Sequence, residues 1–191
     1  MKKTIIISCL LMGIYAPVQA QKIRQIAFSL QKESVAFPFT RFFPFHPGAQ
    51  IGLTFYNKES EKSITNLNVN LGGYYHKKVA NAVYFQGEYA YRPVLKSIVS
   101  IDFVGSLGYM HTFYPGEVYA LNPDNGEFEK ITQTGRPHIL AGLGIGFTYL
   151  KNNRWQPFIN QNLSAKVPFG NGLANMVHSF LKVGVIYKLS K

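Results

Sequence analysis

Five histidines hold most of the catalytic and ligating potential of this 191-residue chain: His46, His76, His111, His138 and His178. Near neutral pH an imidazole serves as general base, proton carrier or metal ligand. A nucleophilic site also needs a hydroxyl or thiol within reach of the ring, and an acid to orient it. His178 is followed directly by Ser179. On a strand, however, adjacent side chains point to opposite faces, so the two make a poor base and nucleophile. No Ser-x-His or His-x-Ser occurs, nor any His-x-His or His-x3-His of the kind that places two ligands on one metal. The residues alone therefore predict no catalytic group, no metal site and no cofactor. An exposed cluster of rings, Phe39, Phe42, Phe43 and Phe45 among three prolines in FPFTRFFPFHPG (37–48), is a second candidate. It reads as a contact lip, as an interfacial loop dipping aromatics into head groups, or as a plug over a mouth.

These residues need a scaffold, and the chain supplies strands. In ITNLNVNLGGYY (64–75), Leu67, Val69 and Leu71 fall on one parity and Asn66, Asn68 and Asn70 on the other. Period-two alternation is the signature of a strand with two unlike faces. Seven further segments carry it or approach it: 23–37, 49–56, 82–91, 100–113, 138–150, 155–167 and 180–189. The first alternates poorly, because Arg24, Lys32 and Glu33 interrupt it. The first, fifth and seventh connections are the longest, and the fifth (115–137) contains NPDNG, a hairpin-tip signal. All five histidines lie beside odd-numbered connections, which an even-stranded barrel gathers at one end.

Glycines decide which face looks out. Gly52, Gly72, Gly108, Gly142, Gly144, Gly146 and Gly184 share the polar parity, where a wet surface would gain nothing from them but a narrow interior would. The apolar parity carries large rings and almost no charge, too much volume for an eight-stranded lumen but suited to lipid. Tyr75, Tyr91, Tyr109, Phe113, Tyr149, Trp155 and Tyr187 fall toward strand ends, as aromatic girdles do. Only a sheet without edges satisfies every backbone group in hydrocarbon. The expected fold is all-β: one antiparallel, eight-stranded, up-and-down transmembrane β-barrel. Inside it, Glu88 and Asp102 are expected to meet Lys166 and Lys182 in a polar network that fills the lumen.

Residues 1–20 read as a secretory signal peptide: Lys2 and Lys3, an apolar run, then Val18-Gln19-Ala20 before Gln21. That leaves 21–191 as the barrel domain. The single cysteine, Cys9, falls inside the signal, so the exported part has no disulfide and no thiolate site. Without Lys2 and Lys3, 18 Lys+Arg face 9 Asp+Glu, a formal +9. Export excludes nucleic acid as a partner and points the charge toward outer-membrane lipid.

Taken together, these strands resemble the small outer-membrane barrels of Gram-negative bacteria, the OmpA/OmpX-like eight-stranded group. The last strand carries the most specific part: Lys182, Gly184, Tyr187 and Leu189 match the polar–Gly–aromatic–hydrophobic C-terminal insertion signal, with Ser190-Lys191 added. The resemblance implies recognition of that strand by the barrel-assembly machinery. The Tyr- and Asn-rich style resembles barrels of Bacteroidota. It also implies a structural or surface-interaction role presented by the external loops. Some such barrels are lipid A acyltransferases or deacylases with a His, a Ser and an acid at the outer rim, and that reading stands as an alternative. A secreted lipocalin-like binder of a hydrophobic ligand is the other, with the apolar parity turned inward.

Overall fold

In a computed structural model of the chain, the described residues are 23–77, 79–114, 116–123, 126–131, 135–152, 154–168 and 176–189. The signal segment, most of the seventh connection and Ser190-Lys191 lie outside them. Ten strands are present: β1 (Gln25–Ser34), β2 (His46–Glu59), β3 (Ser63–Tyr74), β4 (Asn81–Leu95), β5 (Val99–Phe113), β6 (Val118–Leu121), β7 (Phe128–Ile131), β8 (Arg136–Tyr149), β9 (Trp155–Val167) and β10 (Met176–Lys188). Eight close into one antiparallel barrel in the order β1-β10-β9-β8-β5-β4-β3-β2. β6 and β7 pair only with each other, in the fifth connection, with Gly126 at positive φ (71°) in the tip that NPDNG predicts.

The strands tilt. Following paired residues once around the wall from Ile186 leads through Ala27, Gly52, Asn70, Gln86, Gly108, Leu140 and Lys166 to Met176, ten residues further along the same strand. A stagger of this size over eight strands sets a tilt of roughly 35–45° and an interior that side chains fill. The strands also run longer than the sequence pattern suggests. β4 continues to Leu95, where Lys96 and Ser97 both adopt positive φ (49° and 56°) in a two-residue hairpin turn. β10 begins at Met176 rather than Phe180.

The polar parity faces in. Asn66 is 1% exposed and Asn70 2%, while Leu107 is 64% and Leu143 74% exposed. This arrangement excludes the lipocalin-like alternative, which needs the apolar parity inside. The molecule is an all-β transmembrane barrel with its leucines toward lipid. β1 obeys the same rule: Gln25, Ser29, Gln31 and Glu33 are buried inward, whereas Phe28 and Leu30 are exposed outward. Gly144 and Gly146 stand across β9 from Asn162 and Asn160, whose amides occupy the space that a Cβ would need.

Lys32 also lies on the outward parity of β1, yet it is buried. The reason is the first connection. Residues 35–45 fold down the outside of the barrel as a strap, with Pro38 and Phe39 beside Leu143, Ile145 and Leu163. Thr40 Oγ1 meets Ser179 Oγ at 2.7 Å, and Gln161 Nε2 donates to Thr40 Oγ1 (3.0 Å) and to Ser179 Oγ (2.6 Å). The Arg41 amide donates to Ser34 Oγ (3.1 Å), and the Lys32 ammonium donates to the Arg41 carbonyl. Gln161, Ser179 and Lys32 are thus polar residues on the lipid side that the strap covers.

Candidate functional site

The end of the lumen that carries the odd-numbered connections gathers three histidines around one carboxylate. β1 ends with Glu33 pointing inward; β2 opens with His46 directly across from it. His178 comes from β10 on the other flank, and His76 from the short connection after β3. Glu33 is fully buried and His178 1% exposed, while His46 and His76 sit nearer the rim at 9% and 8%. His178 Nδ1–H donates to Glu33 Oε1 at 2.7 Å. His46 Nδ1 lies 3.4 Å from Glu33 Oε2 and makes a long contact (3.3 Å) to the Glu33 carbonyl. The His46 and His76 rings stack at 3.5 Å with 25° between their planes. His76 is itself fixed, its amide donating to Asn81 Oδ1 (2.9 Å) and its Nδ1 accepting from the Val79 amide (3.2 Å). Burial, and secondarily the charge of His46, lower the His76 pKa from its ordinary value.

An apolar layer of Tyr74, Ala82, Tyr84, Met110, Leu140 and Phe180 fills the lumen beside this cluster. Tyr74 stands 5.9 Å from His178 and 5.8 Å from Phe180, ring to ring. Tyr84 donates its hydroxyl toward Gln31 Oε1 (2.7 Å) and Gln50 Oε1 (2.9 Å), which ties the layer to the amides below. A lumen closed this way is not a conducting pore.

The four charged residues expected in the lumen are all there and buried. Their partners differ from the pairing expected. Glu88 accepts from Asn68 Nδ2 (3.0 Å) and Asn70 Nδ2 (3.1 Å), and Lys182 donates to Gln50 Oε1 (2.7 Å). Amides therefore carry the link between opposite charges in mid-lumen. Asp102 pairs with Arg92 (3.6 Å), which the sequence reading did not place, and accepts from Ser100 (2.8 Å) and Thr148 (2.5 Å). Lys166 points inward from β9 within Coulombic range of Glu33.

The remaining histidines separate. His111 faces outward and its Nδ1 meets the Tyr109 hydroxyl at 2.8 Å. His138 lies inside with Nδ1 at 2.6 Å from the Pro168 carbonyl and Nε2 at 2.9 Å from Thr112 Oγ1. Ser179 points outward to the strap, as its adjacency to His178 requires. Phe39, Phe42, Phe43 and Phe45 expose between 64% and 86% of their surface along the strap. In β10, Lys182 and Gly184 face in, while Tyr187 faces out against Trp155 (4.5 Å) and the Arg154 guanidinium (5.2 Å). The Leu189 amide donates to the Arg24 carbonyl (3.0 Å), closing the seam with β1. Sequence reasoning missed Glu33, because it counted as an interruption of strand one; its parity with Gln25, Ser29 and Gln31 was the signal available.

No family model matches the chain, and no curated protein matches it. Solved structures do. The crystal structure of Neisserial surface protein A superposes with a TM-score of 0.52 at 12% identity, covering 86% of this chain and 95% of that one. The fold is that of the small outer-membrane barrels. Two others align at a TM-score of 0.49: Ail of Yersinia pestis (8% identity, 87% and 97% covered) and the outer membrane enzyme PagL (7%, 86% and 99%).

Proposed function

We propose that this is an integral outer-membrane protein, exported by its N-terminal signal and inserted through recognition of β10, whose role is non-catalytic contact at the cell surface. The fold and the lipid-facing wall support the location. The β6–β7 hairpin carries the functional reading. Among the described residues its two strands pair only with each other, and Tyr119, Leu121 and Phe128 are 53%, 57% and 72% exposed. Leu121 lies opposite Phe128 in the hairpin, and Tyr119 is two residues from Leu121, so the three share one face. The strap's rings have lipid as their surroundings; these have water, and an exposed apolar face on a water-side loop marks a contact surface. Against an enzyme stands Ser179, the hydroxyl next to His178, which is committed to Thr40 and Gln161 on the outer wall.

Two experiments test this. Envelopes washed with carbonate should retain the protein, and the unboiled band should migrate faster than the boiled one; a soluble band overturns the location. A photo-crosslinking residue at Leu121, on intact cells, should yield an adduct that Tyr119→Ser with Phe128→Ser abolishes. An adduct pattern unchanged by those substitutions overturns the contact surface.

A further inference from the structure

The carboxylate at the external mouth has one oxygen without a partner. Among the described residues, Glu33 Oε2 is buried and accepts no hydrogen bond, although His178 holds the other oxygen at 2.7 Å. A buried, half-satisfied carboxylate is costly unless something else completes it. What faces Oε2 is a ring nitrogen, His46 Nδ1, at 3.4 Å. That spacing is long for a charge-assisted hydrogen bond, which runs about 2.7–2.9 Å. It matches the edge of a tetrahedron whose bonds are the roughly 2.0–2.1 Å of zinc to imidazole and carboxylate, an edge of about 3.4 Å. One ligating nitrogen of His76 completes the group, the donor atoms of Glu33, His46 and His76 all lying within 4.8 Å of one another.

We infer that Glu33, His46 and His76 form a binding site for a divalent cation of the zinc class, facing the exterior. Two neutral imidazoles and one carboxylate are a borderline-soft donor set, which favours zinc over calcium or magnesium. Three protein ligands leave a fourth position for water or for a donor from outside. His178 is a positioning residue: its Nδ1–H fixes Oε1 and so aims Oε2 at the ion, the arrangement that outer partners of metal ligands take. The exposure gradient gives the route of entry, since His46 and His76 touch solvent at the rim while Glu33 lies beneath them. To ligate, His46 gives up its long contact to the Glu33 carbonyl, and His76 exchanges the Val79 amide at its Nδ1 for the ion.

The test uses the full mature barrel in detergent, with folding of every variant verified by the fast-migrating unboiled band. Zinc is titrated against a chromophoric chelator, and cobalt is added separately for its visible spectrum. One equivalent of zinc should bind, cobalt should give the intense bands of a tetrahedral site, and Glu33→Gln and His46→Ala should each weaken zinc by about tenfold or more. His178→Ala should weaken it less than either, while His138→Ala, a mouth histidine outside the group, should leave it unchanged. Equal affinity in wild type, Glu33→Gln and His46→Ala overturns the site. So does equal loss in His138→Ala, which would mean surface histidines binding without a built site.

Discussion

The lumen holds a fully buried carboxylate near each end, and the two are solved differently. Asp102, near the start of β5, is complete: Arg92 supplies a permanent positive charge, and Ser100 and Thr148 donate one hydrogen bond to each oxygen. Glu33, at the opposite end on β1, has imidazoles as its nearest partners, and among the described residues one of its oxygens accepts no hydrogen bond. Guanidinium cannot lose its proton in a protein, whereas imidazole exchanges protons and metals near neutral pH. One end is therefore locked and the other exchangeable. A buried charge serves structure when its partner is permanent, and is open to function when its partners are not.

The largest effect expected from this contrast is at the locked end. Asp102→Ala should cost about 3–5 kcal/mol, because it strands Arg92 in the lumen. Urea unfolding of the barrel, followed by the loss of the fast-migrating band, measures it; a cost below that of Glu33→Gln would reverse the comparison. Replacing both partners, Asp102→Leu with Arg92→Met, should recover most of that loss, since two apolar side chains of similar volume leave no charge unpaired. If the double variant is as unstable as the single one, Asp102 matters for Ser100 and Thr148 rather than for charge.

At the exchangeable end Glu33→Gln should cost only about 1 kcal/mol, because the amide oxygen still accepts from His178 and neutral imidazoles remain tolerable. The same unfolding assay reads it.

The smallest effect is outside the membrane. Lys130 and, after it, the Tyr119 hydroxyl hold the exposed Glu117 carboxyl below the ordinary carboxylate range of about 4.3. Its pKa is lower folded than unfolded, so the ordering it gives the β6–β7 hairpin is present above that range and is lost as pH falls through the folded value. Amide exchange in 118–131 should rise below about pH 4, with the barrel strands unaffected. Unchanged hairpin exchange would show the pair contributes nothing, as exposed ion pairs often do.

Much of this barrel was legible because lipid leaves a period-two imprint, clear in β3, β5, β8 and β9. The hairpin tip was legible for a similar reason, since Asn, Asp and Gly announce a turn locally. The mouth was not. Glu33 reads as an interruption when its strand is taken alone, and becomes an inward residue only once β2 and β10 fix the register. His76 and His178, 30 and 132 residues from His46 along the chain, meet it through tilt and closure and not through spacing, so no local motif marks them. Lys32, Gln161 and Ser179 misled in the opposite sense. Polar on a lipid face, they make sense only beneath a strap whose path composition does not specify.

That strap gives the barrel a front and a back. Where the strap lies against the wall, beside Leu143, Ile145 and Leu163, exposed phenylalanine rings stand outermost, whereas elsewhere strand side chains such as Ile51, Phe85 and Val183 meet the bilayer directly. Neighbours drifting in the plane of the membrane meet a flat flank on one side and a keel on the other. Packing among such molecules is directional, and crowding in the membrane would align them.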